Sequence, residues 1–177
     1  VDLDVQHRFV PYWRHEVIWG AGFRFSSDQN DSNFTVWISP RKRTVGYASA
    51  FLQDRVQLIP TLLELTIGSK IEWNSYTQFE VQPNARLLWT PHRRHTLWAA
   101  ASRAVSLPNR VYRGGGALKA IIDRKYVEGA EDLPNDALVI LRVGGHPDYR
   151  SEDLASYEVG YRMLPLNWLS LDVTAFR

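Results

Sequence analysis

The chain has 177 residues, of which 45% are hydrophobic, with a mean hydropathy of −0.30 and a formal net charge of +2 at pH 7. No run approaches the roughly 18 apolar residues of a membrane-spanning helix, and the absence of cysteine excludes disulfides, zinc–thiolate sites and cysteine nucleophiles. Acidic and basic residues are mixed along the chain, so no nucleic-acid partner is predicted.

Eight strands are predicted where apolar and polar residues alternate between turn residues. Several are longer than the roughly 5–6 residues of an ordinary strand, and they match the roughly 9–11 residues with which a tilted strand crosses a bilayer. We therefore expect an all-β fold, an antiparallel up-and-down meander of long strands. In chain order the predicted strands cover residues 2–9, 15–26, 45–58, 61–74, 79–90, 95–104, 153–163 and 167–176.

The predicted strands have one apolar and one polar face. In the fourth strand Leu65 and Ile67 alternate with Glu64 and Thr66, whereas Asp54 interrupts the apolar face of the third strand. The polar faces carry interleaved acidic and basic residues, which suits the wet lumen of a barrel and also a plain solvated sheet. The apolar faces suit either lipid or the packed interior of a soluble sandwich.

Short and long connections alternate along the chain. This order is typical of an outer-membrane barrel, which has its short turns at one end and its long loops at the other. Aromatic residues near both strand ends, such as Trp89 and Trp73, indicate interfacial girdles or the ordinary enrichment of aromatics in strands. The short connections lie near residues 10–14, 59–61, 91–95 and 164–166, and the long ones at 27–44, 75–78 and 105–152.

The connection 105–152 is too long for a simple link, and such loops are usually functional or disordered. Within it, residues 117–126 predict a short helix and residues 137–143 a further strand. The glycine run 114–116 lacks the following Lys-Ser/Thr of a phosphate loop, and it predicts a flexible segment. Outside this loop, the histidines at 92 and 95 flank two arginines, which predicts a polar turn near lipid headgroups, with metal binding as the alternative.

Several segments resemble the barrel of TonB-dependent outer-membrane receptors in their order and spacing. The resemblance covers residues 45–177 well and residues 1–44 weakly. One segment, "GHPDYRSE", stands where this family usually has a Gly-Asn-Pro-Asp-Leu-Lys-Ser-Glu stretch before a strand. The segments that carry the resemblance are "FLQD" (51–54), "LELTIG" (63–68), "QPNARLLW" (82–89) and "GHPDYRSE" (145–152).

The resemblance implies a function that composition does not show. Members of this family are barrels of about 22 strands with a plug, and they take up ferric siderophores, haem or cobalamin with energy passed through TonB. By this resemblance, residues 1–177 are part of the barrel of a receptor in the outer membrane of a Gram-negative bacterium, without the plug. A ferric siderophore is the first ligand to expect. TonB would act through the missing plug, and outer-membrane lipid and lipopolysaccharide would surround the barrel.

A second hypothesis comes from a different class of protein. Eight strands can close on themselves around side chains or one small ligand, which would give a self-contained small membrane barrel or a soluble ligand-binding β-barrel. This alternative predicts hydrogen bonds between strand 2–9 and strand 167–176. An open fragment would leave both strands as edges, and the isolated fragment is then expected to self-associate.

The loop alternation places the connection 105–152 on the outer side of the proposed barrel, where a ligand would be met. Its basic and aromatic residues could attract an anionic chelate by charge and stack against aromatic catechols; a solvated loop is the alternative. No catalytic residue, metal site or cofactor is predicted, and the chain is not expected to be an enzyme. The predicted ligand-binding residues are Arg110, Tyr112, Arg113, Lys119, Arg124, Lys125, Tyr126 and His146.

Overall fold

The computed structural model of the chain describes residues 1–129, 132–134 and 136–177. Its strands are β1 (Asp2–Tyr12), β2 (His15–Gln29), β3 (Val36–Ile38), β4 (Lys42–Ile59), β5 (Leu63–Asn74), β6 (Gln78–His92), β7 (His95–Ser106), β8 (Gly115–Asp123), β9 (Leu138–Gly144), β10 (Glu152–Leu166) and β11 (Leu169–Phe176). Eight of them form one sheet in the order β1-β2-β4-β5-β6-β7-β10-β11. The predicted all-β meander is confirmed, and each of the eight predicted strands is present.

The chain divides into two compact units. The sheet unit comprises Val1–Ser26, Val45–Ser106 and Ser151–Arg177. The insert unit comprises Ser27–Thr44 and Leu107–Arg150, and it contains a second, antiparallel sheet in the order β3-β8-β9. The two segments of the insert unit are therefore joined by strand pairing and are not independent loops.

The insert unit corrects one prediction and confirms another. Residues 117–126 do not form a helix, because β8 occupies Gly115–Asp123 and only Arg124–Tyr126 make a single 3₁₀ turn. The sequence of this segment suits a helix or a strand. Its pairing with β3 on one side and β9 on the other selects the strand. The strand predicted at 137–143 is present as β9.

Strand register gathers the apolar residues of the sheet unit on one face. Ile67 lies beside Ala85, and Leu87 beside Ala99. Most of these side chains are exposed; 53% of Ile67 and 69% of Val173 are accessible. A soluble sandwich would bury such a face against a second sheet, so this exposure favours the lipid-facing interpretation.

The opposite face carries a ladder of ion pairs across four strands, β1, β2, β4 and β5. Glu16 binds Arg8 at 2.7 Å and Arg55 at 3.3 Å, and Arg55 reaches Glu64 at 3.6 Å. Cross-strand pairs of opposite charge stabilise a sheet modestly where they meet water. The interleaved charges of the sequence are thus neighbours on adjacent strands.

The polar residue on the apolar face also has a partner. Asp54 on β4 lies 2.7 Å from the Nδ1 atom of His15 on β2. Both side chains are partly exposed. The pair satisfies one carboxylate oxygen on a face that is otherwise apolar, which removes part of the cost of placing Asp54 there.

The two terminal strands of the sheet are its edges. β1 pairs with β2 and β11 pairs with β10, and in the described residues these two strands stand at opposite ends of the strand order. The closed eight-stranded alternative requires them to pair with each other, so it is not the arrangement of this sheet. In the described part of the chain, the helices are all too short to cross a membrane.

Candidate ligand-binding site

A helical turn organises the insert unit. Helix α1 (Arg110–Gly114) is capped at its N-terminus by Asn109, whose side-chain oxygen accepts a hydrogen bond from the backbone N–H of Tyr112 at 3.0 Å. Asparagine is a favoured residue at this position because it satisfies an N–H that the helix itself leaves free. The helix leads directly into β8, so its side chains are fixed relative to the small sheet.

The glycines 114–116, at the end of α1 and the start of β8, are closely packed and do not form the flexible segment predicted from the sequence. A Cβ atom on Gly114 would lie 2.0 Å from the carbonyl oxygen of Ser39, and one on Gly116 would lie 2.2 Å from the indole of Trp37. A Cβ on Gly145 would lie 2.3 Å from the carbonyl oxygen of Tyr112. These glycines allow backbone segments to approach one another where any side chain would clash.

A cavity of about 490 Å³ lies within the insert unit at this packed region. Its walls combine two guanidinium groups, one indole and glycine backbone. Such a combination suits an anionic ligand with aromatic rings, because guanidinium groups bind anions and also stack on aromatic faces. The side chains that line it are Trp37, Ser39, Pro40, Arg43, Arg113 and Pro147.

The indole of Trp37 is held between two neighbours. It lies against Gly116 on β8, and the guanidinium carbon of Arg142 on β9 lies 5.2 Å from its ring centroid. The same guanidinium is 5.8 Å from the ring of Phe34. Cation–π contacts of this kind orient an aromatic ring, so Trp37 presents a defined surface to the cavity.

Four of the eight predicted ligand-binding residues come together near α1. Tyr112 and Arg113 belong to the helix, as does Arg110, and the backbone N–H of His146 donates to the carbonyl oxygen of Tyr112 at 2.9 Å. The ring of Tyr112 also lies 5.5 Å from that of Tyr149. Of the four, Arg113 lines the cavity.

The other four residues lie elsewhere on the small sheet. Lys119 is exposed and sits where the pairing of β8 with β9 shifts register. Arg124, Lys125 and Tyr126 form the 3₁₀ turn at the far end of β8, roughly 26 Å of extended strand from Gly115 at about 3.3 Å per residue. The predicted residues therefore fall into one group near α1 and a second group in the 3₁₀ turn, with Lys119 alone on β8.

The second group is internally paired. The Lys125 ammonium lies 3.2 Å from the Asp123 carboxylate and 4.9 Å from the ring centroid of Tyr126. The backbone N–H of Lys125 donates to Asp123, and this bond, followed by the side-chain contact, lowers the pKa of the Asp123 carboxyl. Tyr126 is 74% exposed. This turn offers an exposed aromatic ring and a cation that is shared with Asp123.

Arg110 has a structural environment. Its guanidinium donates to the carboxylate of Asp28 and to the carbonyl oxygen of Pro40, and its side chain is only 10% exposed. Both acceptors belong to the segment Ser27–Thr44. Arg110 thus joins the two segments of the insert unit.

Sequence reasoning missed three residues around the cavity: Trp37, Arg43 and Arg142. Two of them lie in the connection 27–44, where the basic cluster 40–43 predicts a solvated loop or a contact with lipopolysaccharide phosphates and not a siderophore site. Its position offered a signal, because 27–44 and 105–152 leave the large sheet at the same end, opposite the short turns. No cluster of three or more His, Asp or Glu side chains able to hold a metal ion occurs within the described ranges.

Comparisons with known proteins identify the family to which this chain belongs. A family model for the β-barrel of TonB-dependent receptor-like proteins matches residues 1–177. A comparison with curated proteins finds none that matches.

Similar solved structures include three receptors. The siderophore receptor PirA from Acinetobacter baumannii has a TM-score of 0.73 at 12% identity, over 99% of this chain and 26% of that one. A ferric enterobactin receptor (PfeA) mutant from Pseudomonas aeruginosa, in complex with enterobactin, has a TM-score of 0.73 at 16% identity, over 99% and 26%. The siderophore receptor PirA from Pseudomonas aeruginosa has a TM-score of 0.70 at 17% identity, over 99% and 31%. The chain spans between a quarter and a third of the length of these structures.

Proposed function

The chain belongs to the family of TonB-dependent receptor β-barrels, and from this premise we propose that it forms part of the barrel wall of an outer-membrane receptor that takes up a ferric siderophore by TonB-driven transport. The observation that carries the proposal is the open eight-stranded meander with one exposed apolar face and one charged face. In a larger barrel the first face would contact lipid and the second would line the lumen. The plug and the contact with TonB would be supplied from outside residues 1–177.

The orientation of the wall follows from its connections. Four short turns join the strands at one end of the large sheet, and the two segments of the insert unit leave it at the other end. Outer-membrane barrels have short turns on the periplasmic side and long loops on the extracellular side. We therefore place the connections 27–44 and 107–150 on the extracellular side, where the ligand arrives.

The proposed ligand site is the cavity of the insert unit. Arg43 and Arg113 would bind the negative charge of a ferric siderophore, and Trp37 would stack against its aromatic rings. Two of the similar solved structures are named as siderophore receptors and another as a ferric enterobactin receptor bound to enterobactin. Those names support a chelate of this type as the first ligand to test. The neighbouring Tyr112 and His146 would form the rim of the site.

The test is ligand binding by the intact receptor with single charges removed from the cavity. A hydrogen bond to a charged group contributes about 1.5–3 kcal/mol, so Arg43→Gln and Arg113→Gln should each weaken the binding of ferric enterobactin by about tenfold or more. Tryptophan fluorescence quenching in detergent would measure this affinity. Haem and cobalamin would be tested in the same assay.

The matched control is Lys119→Gln, which removes an exposed positive charge from the same unit at a distance from the cavity. It should leave the affinity unchanged, and thermal unfolding would show that all three variants fold. Equal weakening by all three substitutions would assign binding to the general positive charge of the unit. Undiminished affinity in both arginine variants would remove the cavity from the binding site.

A further inference from the structure

The turn between β6 and β7 is strongly basic. It contains His92, Arg93, Arg94 and His95 in succession, and no acidic residue occurs from position 87 to position 103. β6 ends at His92 and β7 begins at His95, so the two arginines form the turn itself. Both arginine side chains are exposed. The turn therefore offers two guanidinium groups at the short-turn end of the sheet.

This turn is fixed to the neighbouring hairpin. The carbonyl oxygen of Arg94 accepts a hydrogen bond from the backbone N–H of Leu164 at 2.9 Å, and its guanidinium lies 3.5 Å from the carbonyl oxygen of Pro165. The imidazole Nδ1 of His95 lies 2.6 Å from the hydroxyl of Tyr161, and the two rings are stacked. These contacts hold the basic turn against β10.

An apolar groove of about 480 Å³ lies beside the turn on the exposed apolar face. It crosses β6, β7, β10 and β11, and Ala99 leaves space between the larger side chains of Leu87 and Val159, its partners on the adjacent strands. Tyr161 lines the groove and also contacts His95, so the groove and the basic turn are continuous. Other side chains that line it are Trp89, Leu97 and Val173.

We propose that the groove and the turn together bind one anionic glycerophospholipid of the leaflet that surrounds the short turns. An acyl chain would lie in the groove over Ala99, and the phosphate would be held by Arg93 and Arg94. Guanidinium groups bind phosphate in a bidentate manner, and basic residues at a membrane surface attract anionic lipids. Charge complementarity thus selects this occupant for a groove that would otherwise accept any apolar chain.

The proposal rests on the proposed membrane placement of the barrel but not on its ligand. Lipopolysaccharide would occupy the opposite leaflet in that placement, on the side of the long connections.

The other short turns differ from the turn between β6 and β7: residues 60–62 and 167–168 carry no charge. Arg14, in the first turn, lies 4.0 Å over the ring of Trp13 and donates to the carbonyl oxygen of Leu58.

The test uses the intact receptor in nanodiscs of phosphatidylcholine, with or without phosphatidylglycerol, followed by native mass spectrometry of the retained lipid. The receptor should retain phosphatidylglycerol in preference to phosphatidylcholine. The double variant Arg93→Gln/Arg94→Gln should lose this preference by about fivefold for each arginine removed. Ala99→Phe, which fills the groove, should lower the retention of both lipids.

The matched control is Arg14→Gln, which removes a positive charge from the same end of the sheet at a different turn. It should leave the retained phosphatidylglycerol unchanged. An equal loss in Arg14→Gln would show diffuse surface attraction and overturn the proposal, as would equal retention of the two lipids by the unaltered receptor. Binding of ferric enterobactin, measured on the same samples, separates failure of this proposal from failure of the proposed function. If Ala99→Phe does not fold, the lipid preference of Arg93→Gln/Arg94→Gln alone decides the proposal.

Discussion

At the scale of single residues, Arg110 shows how a basic side chain in a long loop can be structural. Its guanidinium binds the carboxylate of Asp28 and the carbonyl oxygen of Pro40, two acceptors in a segment far away in the sequence. Removing one partner of such a group leaves polar atoms without hydrogen bonds. The residue therefore contributes to the shape of the cavity even though it does not line it.

We predict that Arg110→Ala loosens the connection between the two segments of the insert unit. The expected cost is roughly 1–3 kcal/mol, because Asp28 is partly exposed and water can replace part of the lost interaction. Hydrogen exchange of the intact receptor would show faster exchange in residues 27–44 with the large sheet unaffected. The exposed Lys119→Ala serves as the control. Unchanged exchange in 27–44 would contradict a structural role for Arg110.

At the scale of elements, the polar face of the large sheet contains a cross-strand pair of glycine and tryptophan. Gly160 on β10 lies opposite Trp98 on β7, and a Cβ on Gly160 would lie 2.3 Å from the indole. The guanidinium carbon of Arg86 on β6 is 4.7 Å from the same ring. The indole thus covers the glycine backbone on one side and contacts a cation, which links three adjacent strands.

We predict that Gly160→Ala destabilises the barrel by roughly 1–3 kcal/mol, the usual cost of adding atoms to a closely packed site. Thermal unfolding of the intact receptor, followed by its mobility on unheated gels, would measure the effect. The matched control is Gly46→Ala on β4, where a Cβ would meet the indole of Trp73 at 3.3 Å. Equal stability of the two variants would contradict the close packing of Gly160 beneath Trp98.

The same scale explains what the sequence could predict. Alternation and turn residues identified all eight long strands, because most of these strands have one apolar and one polar face and this pattern is local. The strand β8 was assigned to a helix because apolar residues occur on both of its faces. Its pairing partners lie on β3 and β9, and such long-range pairing leaves no local signal.

The candidate site was less predictable than the fold for a related reason. A loop of basic and aromatic residues suggested ligand binding, but the cavity unites Trp37 and Arg43 with Arg113 from a distant segment. The charge of Arg110 suggested ligand binding, although its guanidinium binds Asp28 and Pro40 within the protein. Which charges are neutralised within the unit depends on the pairing of two segments, and sequence spacing does not reveal that pairing.

At the scale of the whole molecule, the eight-stranded sheet is open. β1 and β11 are its edges, each with one side lacking a neighbouring strand in the described structure. Unpaired edges can pair with other chains, and a large exposed apolar face promotes association. The chain therefore has two separate causes of self-association. Neighbouring strands of a full barrel would pair the edges, and lipid would cover the apolar face.

We predict that residues 1–177, produced alone, self-associate in plain buffer. Detergent distinguishes the two causes, because micelles cover an apolar face but leave backbone hydrogen-bonding groups at the edges available. If the face is the main cause, light scattering should show dispersal to monomers in detergent; if the edges also pair, dimers should persist there. Ile67→Lys and Ile71→Lys, on the apolar face, should reduce association in buffer, whereas Glu64→Lys on the charged face should not. A folded, monodisperse monomer in plain buffer would contradict both causes and with them the assignment of the apolar face to lipid.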